Sequence, residues 1–121
     1  MNTTTNLSRF QAFNISLDMI RSARECIVNI RAHDAELATQ LRKAAASVPL
    51  NLAEGNRRVG RDKLNRFRIA AGSADEVRAC LLVAEAWGYV TPGDIKDALE
   101  LIDRLLAILW TITHKPARRR A

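Results

Sequence analysis

Four stretches of about twenty residues repeat apolar side chains every three or four positions, and only short polar links separate them. That spacing is the signature of amphipathic helices. Valine, isoleucine, threonine and the aromatic residues never fall into alternating runs, so no strand is expected. Four helices of similar length joined by short links pack as antiparallel neighbours, because such links leave no room for a long crossover. The expected fold is therefore all-α, an antiparallel up-down-up-down four-helix bundle. At 121 residues it forms one domain, large enough to bury a core without disulfide or metal staples.

The first helix is expected from about Leu7 to Arg31, capped by Asn6 or Ser8. Its apolar seam is Phe10, Phe13, Leu17, Ile20, Ile27 and Ile30, interrupted by Arg24. The second starts near Asp34 and uses Leu37, Leu41, Ala44, Ala45, Val48 and Leu52. Pro49 lies in its middle, but the apolar period resumes at Leu52 and Ala53, so a kinked continuation is expected. Gly55 is the expected stop. The third helix, from about Arg61 to Trp87, packs through Leu64, Phe67, Ala70, Ala74, Val77, Leu81 and Ala84. Gly72, among alanines, would let a neighbouring helix approach. Thr91-Pro92-Gly93-Asp94 is a helix-start signal with a capping-box acid. The fourth helix carries Ile95, Leu99, Ile102, Leu105, Leu109 and Ile112 plus a second apolar stripe at Leu101 and Ile108, which suggests burial against another subunit. The division expected is a disordered N-terminus over 1–6, the bundle over 7–114 and a basic C-terminal tail over 115–121.

The net charge of +6 is uneven. Residues 57–68 hold six Lys/Arg against one acid, and residues 115–121 hold four against none. Blocks of this kind suit polyanions, since each neutralised phosphate releases counterions. Arg57, Arg58, Arg61, Lys63, Arg66 and Arg68 are thus the candidate nucleic-acid-binding residues. A basic first turn opposes the helix dipole, so it is not there for helix stability. No aromatic-interleaved platform is evident, which points to contacts with backbone and shape.

Chemistry is harder to find. His33 and His114 are the only histidines and have no acidic or cysteine partners at metal-ligand spacing. Neither has an arginine placed upstream as in the helical RNases. No glycine-rich phosphate loop exists, and Cys26 and Cys80 fit small buried hydrophobes. No catalytic residue, metal or cofactor is expected. Polar residues within the apolar stretches, Arg42, Ser47, Asn51, Glu54, Ser73 and Glu76, are expected to form a polar lock between helices two and three, with Arg42 and Glu76 either pairing across them or reaching solvent. Met1 to Asn6 has no apolar run and no segment approaches the ~18 residues of a membrane span, so the cytoplasm is the expected location.

The order of these residues is itself informative. Gln40-Leu41-Arg42-Lys43-Ala44-Ala45, Ser47-Val48-Pro49, Asn51-Leu52-Ala53-Glu54-Gly55, then Phe67, Ile69-Ala70, Gly72-Ser73-Ala74, Glu76 and Gly88-Tyr89 resemble the four helix bundle protein family encoded in intervening sequences of bacterial 23S ribosomal RNA genes. The resemblance spans about Leu17 to Ile112. It implies an up-down bundle that assembles as a ring-like homopentamer, consistent with the second stripe on helix four. Related members, the accessory variability determinants of diversity-generating retroelements, bind nucleic acid and a reverse transcriptase. The resemblance thus implies a non-catalytic oligomer that binds structured RNA or DNA, or alternatively a scaffold docking a protein such as a reverse transcriptase. The matched polar residues look structural, and the basic corner matches only in character. Phe10 and Phe13 stand where the family commonly has a tryptophan, and the link between helices one and two is short.

Overall fold

The computed structural model describes residues 3–114, with side chains from Leu7 onward. Four helices follow one another: α1 Thr3–His33, α2 Ala35–Asn56, α3 Gly60–Ala86 and α4 Pro92–Thr113. Each packs on its sequence neighbours, and α4 closes back on α1. The result is the expected all-α four-helix bundle. α1 starts four residues earlier than Leu7, because nothing in Thr3–Asn6 breaks a helix, so neither Asn6 nor Ser8 caps it. The tail over 115–121 lies outside the described residues.

The four seams close on a core whose largest fully buried side chains include Phe67, Met19, Ile30, Leu41, Leu52, Leu81, Ile102, Leu105 and Leu109. α2, α3 and α4 bury the faces their periodicity predicts. α1 is rotated from the expectation. Its innermost line is Ala12, Ile15, Ser16, Met19, Ala23, Cys26 and Ile30, whereas Phe13, Ile20 and Ile27 flank it and Phe10 is 66% exposed. Small residues at 12 and 23 let α1 sit close to its neighbours, a fit that ranking residues by size overlooks. Arg24 faces solvent and interrupts nothing. The second stripe on α4, Leu101 and Ile108, is half-buried against this same core.

Pro49 lies inside an unbroken α2 and is itself buried. α2 ends one residue past Gly55, within a residue of the expected stop, but Gly55 is not a left-handed cap. It is buried one residue from the end, where an added Cβ would lie 2.7 Å from the Phe67 ring. Its lack of a side chain is what brings α2 and α3 together at this end. Gly72 plays no such part, as a Cβ there would meet nothing within 4 Å.

The links at one end are fully capped. Asp34 accepts a hydrogen bond from the Leu37 amide at 3.0 Å. Thr91 and Asp94 form the reciprocal capping box. α3 ends in a Schellman turn: Gly88, at φ +81°, donates to Glu85 O, and Tyr89 donates to Ala84 O.

Candidate nucleic-acid interface

Antiparallel order brings the start of α1, the end of α2, the start of α3 and the end of α4 to one pole of the bundle. Most of the predicted cations lie there. Arg57 is the C-cap of α2 and sits, with Arg58 and Val59, in the three-residue link to α3. It therefore does not share a helix face with Arg61 and Arg68, because α3 begins only at Gly60. Arg61 and Arg68 are two turns apart on α3 and line one groove with Asp62 and Asn65.

The six cations differ in what their own chain asks of them. Arg58 is committed: Nε donates to Glu54 Oε1 at 3.0 Å and Nη1 donates to Asp62 Oδ2 at 2.9 Å. The Glu54 carboxyl is held below its ordinary range, first by the Arg58 hydrogen bond and then by the Arg58 charge. Arg57 is only loosely associated with Glu54, at 3.7 Å, and is 79% exposed. Arg66 turns inward, where Nη1 donates to Asn51 Oδ1 at 3.3 Å and the buried Nε lacks a partner among the described residues. Lys63 is half-buried, and its pKa is pushed down by burial and then by the nearby Arg9 cation. Arg61 and Arg68 are exposed. Three guanidinium groups, Arg57, Arg61 and Arg68, therefore face solvent. Arg9, on α1, joins this pole; sequence order alone, 48 residues from Arg57, gives no sign of it.

The start of α3 adds a second source of positive potential. Val59, its N-cap, has no side-chain oxygen to accept the first amides, and it is 82% exposed. Uncapped amides and the positive end of the helix dipole together attract anions. Only Asp62 opposes that potential in the first turn, and it is engaged by Arg58.

The polar lock forms, with altered membership. Ser47 Oγ and Ser73 Oγ are 2.8 Å apart, and Asn51 Nδ2 donates to Ser47 O at 2.9 Å and to Ser47 Oγ at 3.0 Å. Arg66 extends this chain toward Glu54. Of the two outcomes expected for Arg42 and Glu76, they reach solvent and do not pair: both are exposed, and Gln40 Nε2 donates to Glu76 Oε2 at 3.3 Å. Two positions along α2 decide which side chain reaches α3.

Cys26 and Cys80 are buried free thiols, each with its pKa raised first by burial. Among the described residues no three His, Cys, Asp or Glu side chains gather to hold a metal, and no helix is long and apolar enough to cross a membrane.

An all-α four-helix bundle with one cation-rich pole is the class of molecule these features define. Residues 11–111 match the family model described as 23S rRNA-intervening sequence protein, and the chain belongs to that family. A solved structure from Bacteroides thetaiotaomicron VPI-5482, described as a protein with unknown function from the S23 ribosomal protein family, is similar in fold. Its TM-score is 0.77 at 18% identity, over 86% of this chain and 99% of that one. No curated protein matches the chain.

Proposed function

We propose that the protein is a non-catalytic nucleic-acid-binding module that uses its cationic pole to hold structured RNA or DNA. The observation that supports this most is the uncapped start of α3 with exposed Arg57 and Arg61 beside it and exposed Arg68 two turns along. Each feature costs the isolated chain stability, and a phosphate backbone offsets both at once. With about four phosphates neutralised by Arg57, Arg61, Lys63 and Arg68, affinity for a duplex falls roughly 100-fold between 50 and 200 mM salt. Fluorescence anisotropy with a labelled RNA hairpin tests the reading. Charge reversal at Arg57, Arg61 and Arg68 abolishes binding, whereas reversal at Arg31 and Lys96, toward the other pole, leaves it intact. Equal affinity in both variants removes this pole from consideration.

Self-assembly is part of the same proposal, as a homopentamer on the family resemblance. Its support is on α3, not on the second α4 stripe. Ile69, Gly72, Ala79, Leu82 and Val83 leave apolar positions exposed along the outer side of α3 in the single chain, with Asp75 and Glu76 among them. A second copy covering it would also multiply the cationic poles and add avidity. Light scattering of the wild type and of Val83→Glu tests this: an oligomer that the substitution dissociates supports it, and a wild-type monomer overturns it. A wild-type monomer also favours the alternative, a foreign protein docked on the same face.

A further inference from the structure

Beside the cationic groove lies a second groove of about 280 Å³, lined by Arg68, Ala71, Asp75, Leu106, Trp110, Thr113 and His114. Arg68 lines both grooves, so its side chain lies at their shared border. We propose that this second groove receives an unpaired nucleobase of the bound nucleic acid, stacked on Trp110, with Arg68 on the adjoining phosphate. The proposal rests on the nucleic-acid reading above and adds what the pole selects for.

Three features point to a base as the occupant. Trp110 is 62% exposed although His114 already stacks on it, with ring centroids 4.4 Å apart and planes within 9°. The Trp110 carbonyl can only accept, so His114 Nδ1 donates to it at 3.0 Å. That bond, together with Thr113 Oγ1 at 3.0 Å from the same nitrogen, fixes the imidazole against the indole. The pair is thus an ordered aromatic platform at the cationic pole, the element that sequence spacing did not reveal. Asp75 lines the same groove. A carboxylate repels a phosphate but accepts hydrogen bonds from a base edge, so backbone belongs beside Arg68 and the base further in. The volume is ample for a flat ring, since a cavity of about 150 Å³ admits benzene.

The test compares two RNAs with equal phosphate counts, a hairpin with an unpaired loop and a blunt duplex. Trp87→Phe, at the far pole, leaves Trp110 as the single tryptophan. The looped RNA then quenches Trp110 emission and the duplex does not. In the wild-type background, Trp110→Ala weakens looped RNA binding about tenfold and changes duplex binding less than twofold, while Trp110→Phe retains most of the preference. Thermal melts confirm that the variants fold. Equal binding of the two RNAs without quenching, or an equal loss for both in Trp110→Ala, overturns the base pocket and leaves the cationic pole standing. Failure of either RNA to bind at low salt overturns the underlying function and the pocket with it.

Discussion

The two poles of this bundle are built on opposite terms. At the far pole both helix starts are capped by side chains, acids Glu36 and Asp94 sit in the first turns, and α3 closes with a Schellman turn. His33, Tyr89 and Trp87 stack over it. These capping choices favour the folded chain. At the near pole α3 starts on Val59 without a side-chain cap, and cations crowd the positive end of its dipole. A bundle that can cap its helix ends so completely at one pole shows what the other pole forgoes. Elements that cost stability locally are where binding is to be sought.

The largest expected effect breaks the contact that positions the near pole. Phe67→Ala empties the fully buried site beneath Gly55 and costs about 4 kcal/mol, measured by chemical denaturation. Gly55→Ala, which sets a Cβ against that ring, costs about 2 kcal/mol by overpacking. Combining it with Phe67→Leu recovers part of the loss, because the two residues touch.

Capping separates the poles more finely. Thr91→Ala removes a working cap and costs about 1 kcal/mol. Val59→Asp supplies the missing one and raises stability by about 0.5–1 kcal/mol, while placing a negative charge where phosphate is proposed to sit. The account therefore expects Val59→Asp to melt higher and bind RNA more weakly than wild type. Val59→Ser melts higher with a smaller loss of binding. Gly72→Ala, far from any contact within the chain, raises stability by about 1 kcal/mol.

The smallest effect is electrostatic. Glu54 has a lowered folded pKa because of Arg58, so its contribution is present above its unfolded value, near 4.5, and is lost as pH falls through the lowered folded value. Glu54→Gln lacks that contribution at every pH. Its melting temperature therefore falls less than that of wild type between pH 6 and pH 3.

Periodicity gave the helix count, order and three of the four buried faces directly, because large apolar residues at 3.6 spacing dominate those seams. It misjudged α1, where close packing selects Ala12 and Ala23 over Phe10. It placed the end of α2 at Gly55 to within a residue but took the glycine for a left-handed cap, since the same residue serves helix ends and close approaches, and only the position of Phe67 distinguishes them. At the candidate site the sequence located the cations but not their loyalties. Arg58 is drawn to carboxylates on α2 and α3 and Arg66 to an amide on α2, while Arg9 and Trp110 arrive from α1 and α4 through antiparallel packing, which no local window contains.

The central claim, that the near pole engages a phosphate backbone, is tested most directly by the salt dependence of RNA affinity in the wild type and in Arg61→Gln/Arg68→Gln. The account predicts a steep slope of log K against log salt in the wild type, shallower by about two contacts in the double variant. Identical slopes, or a wild-type affinity indifferent to salt, would contradict it.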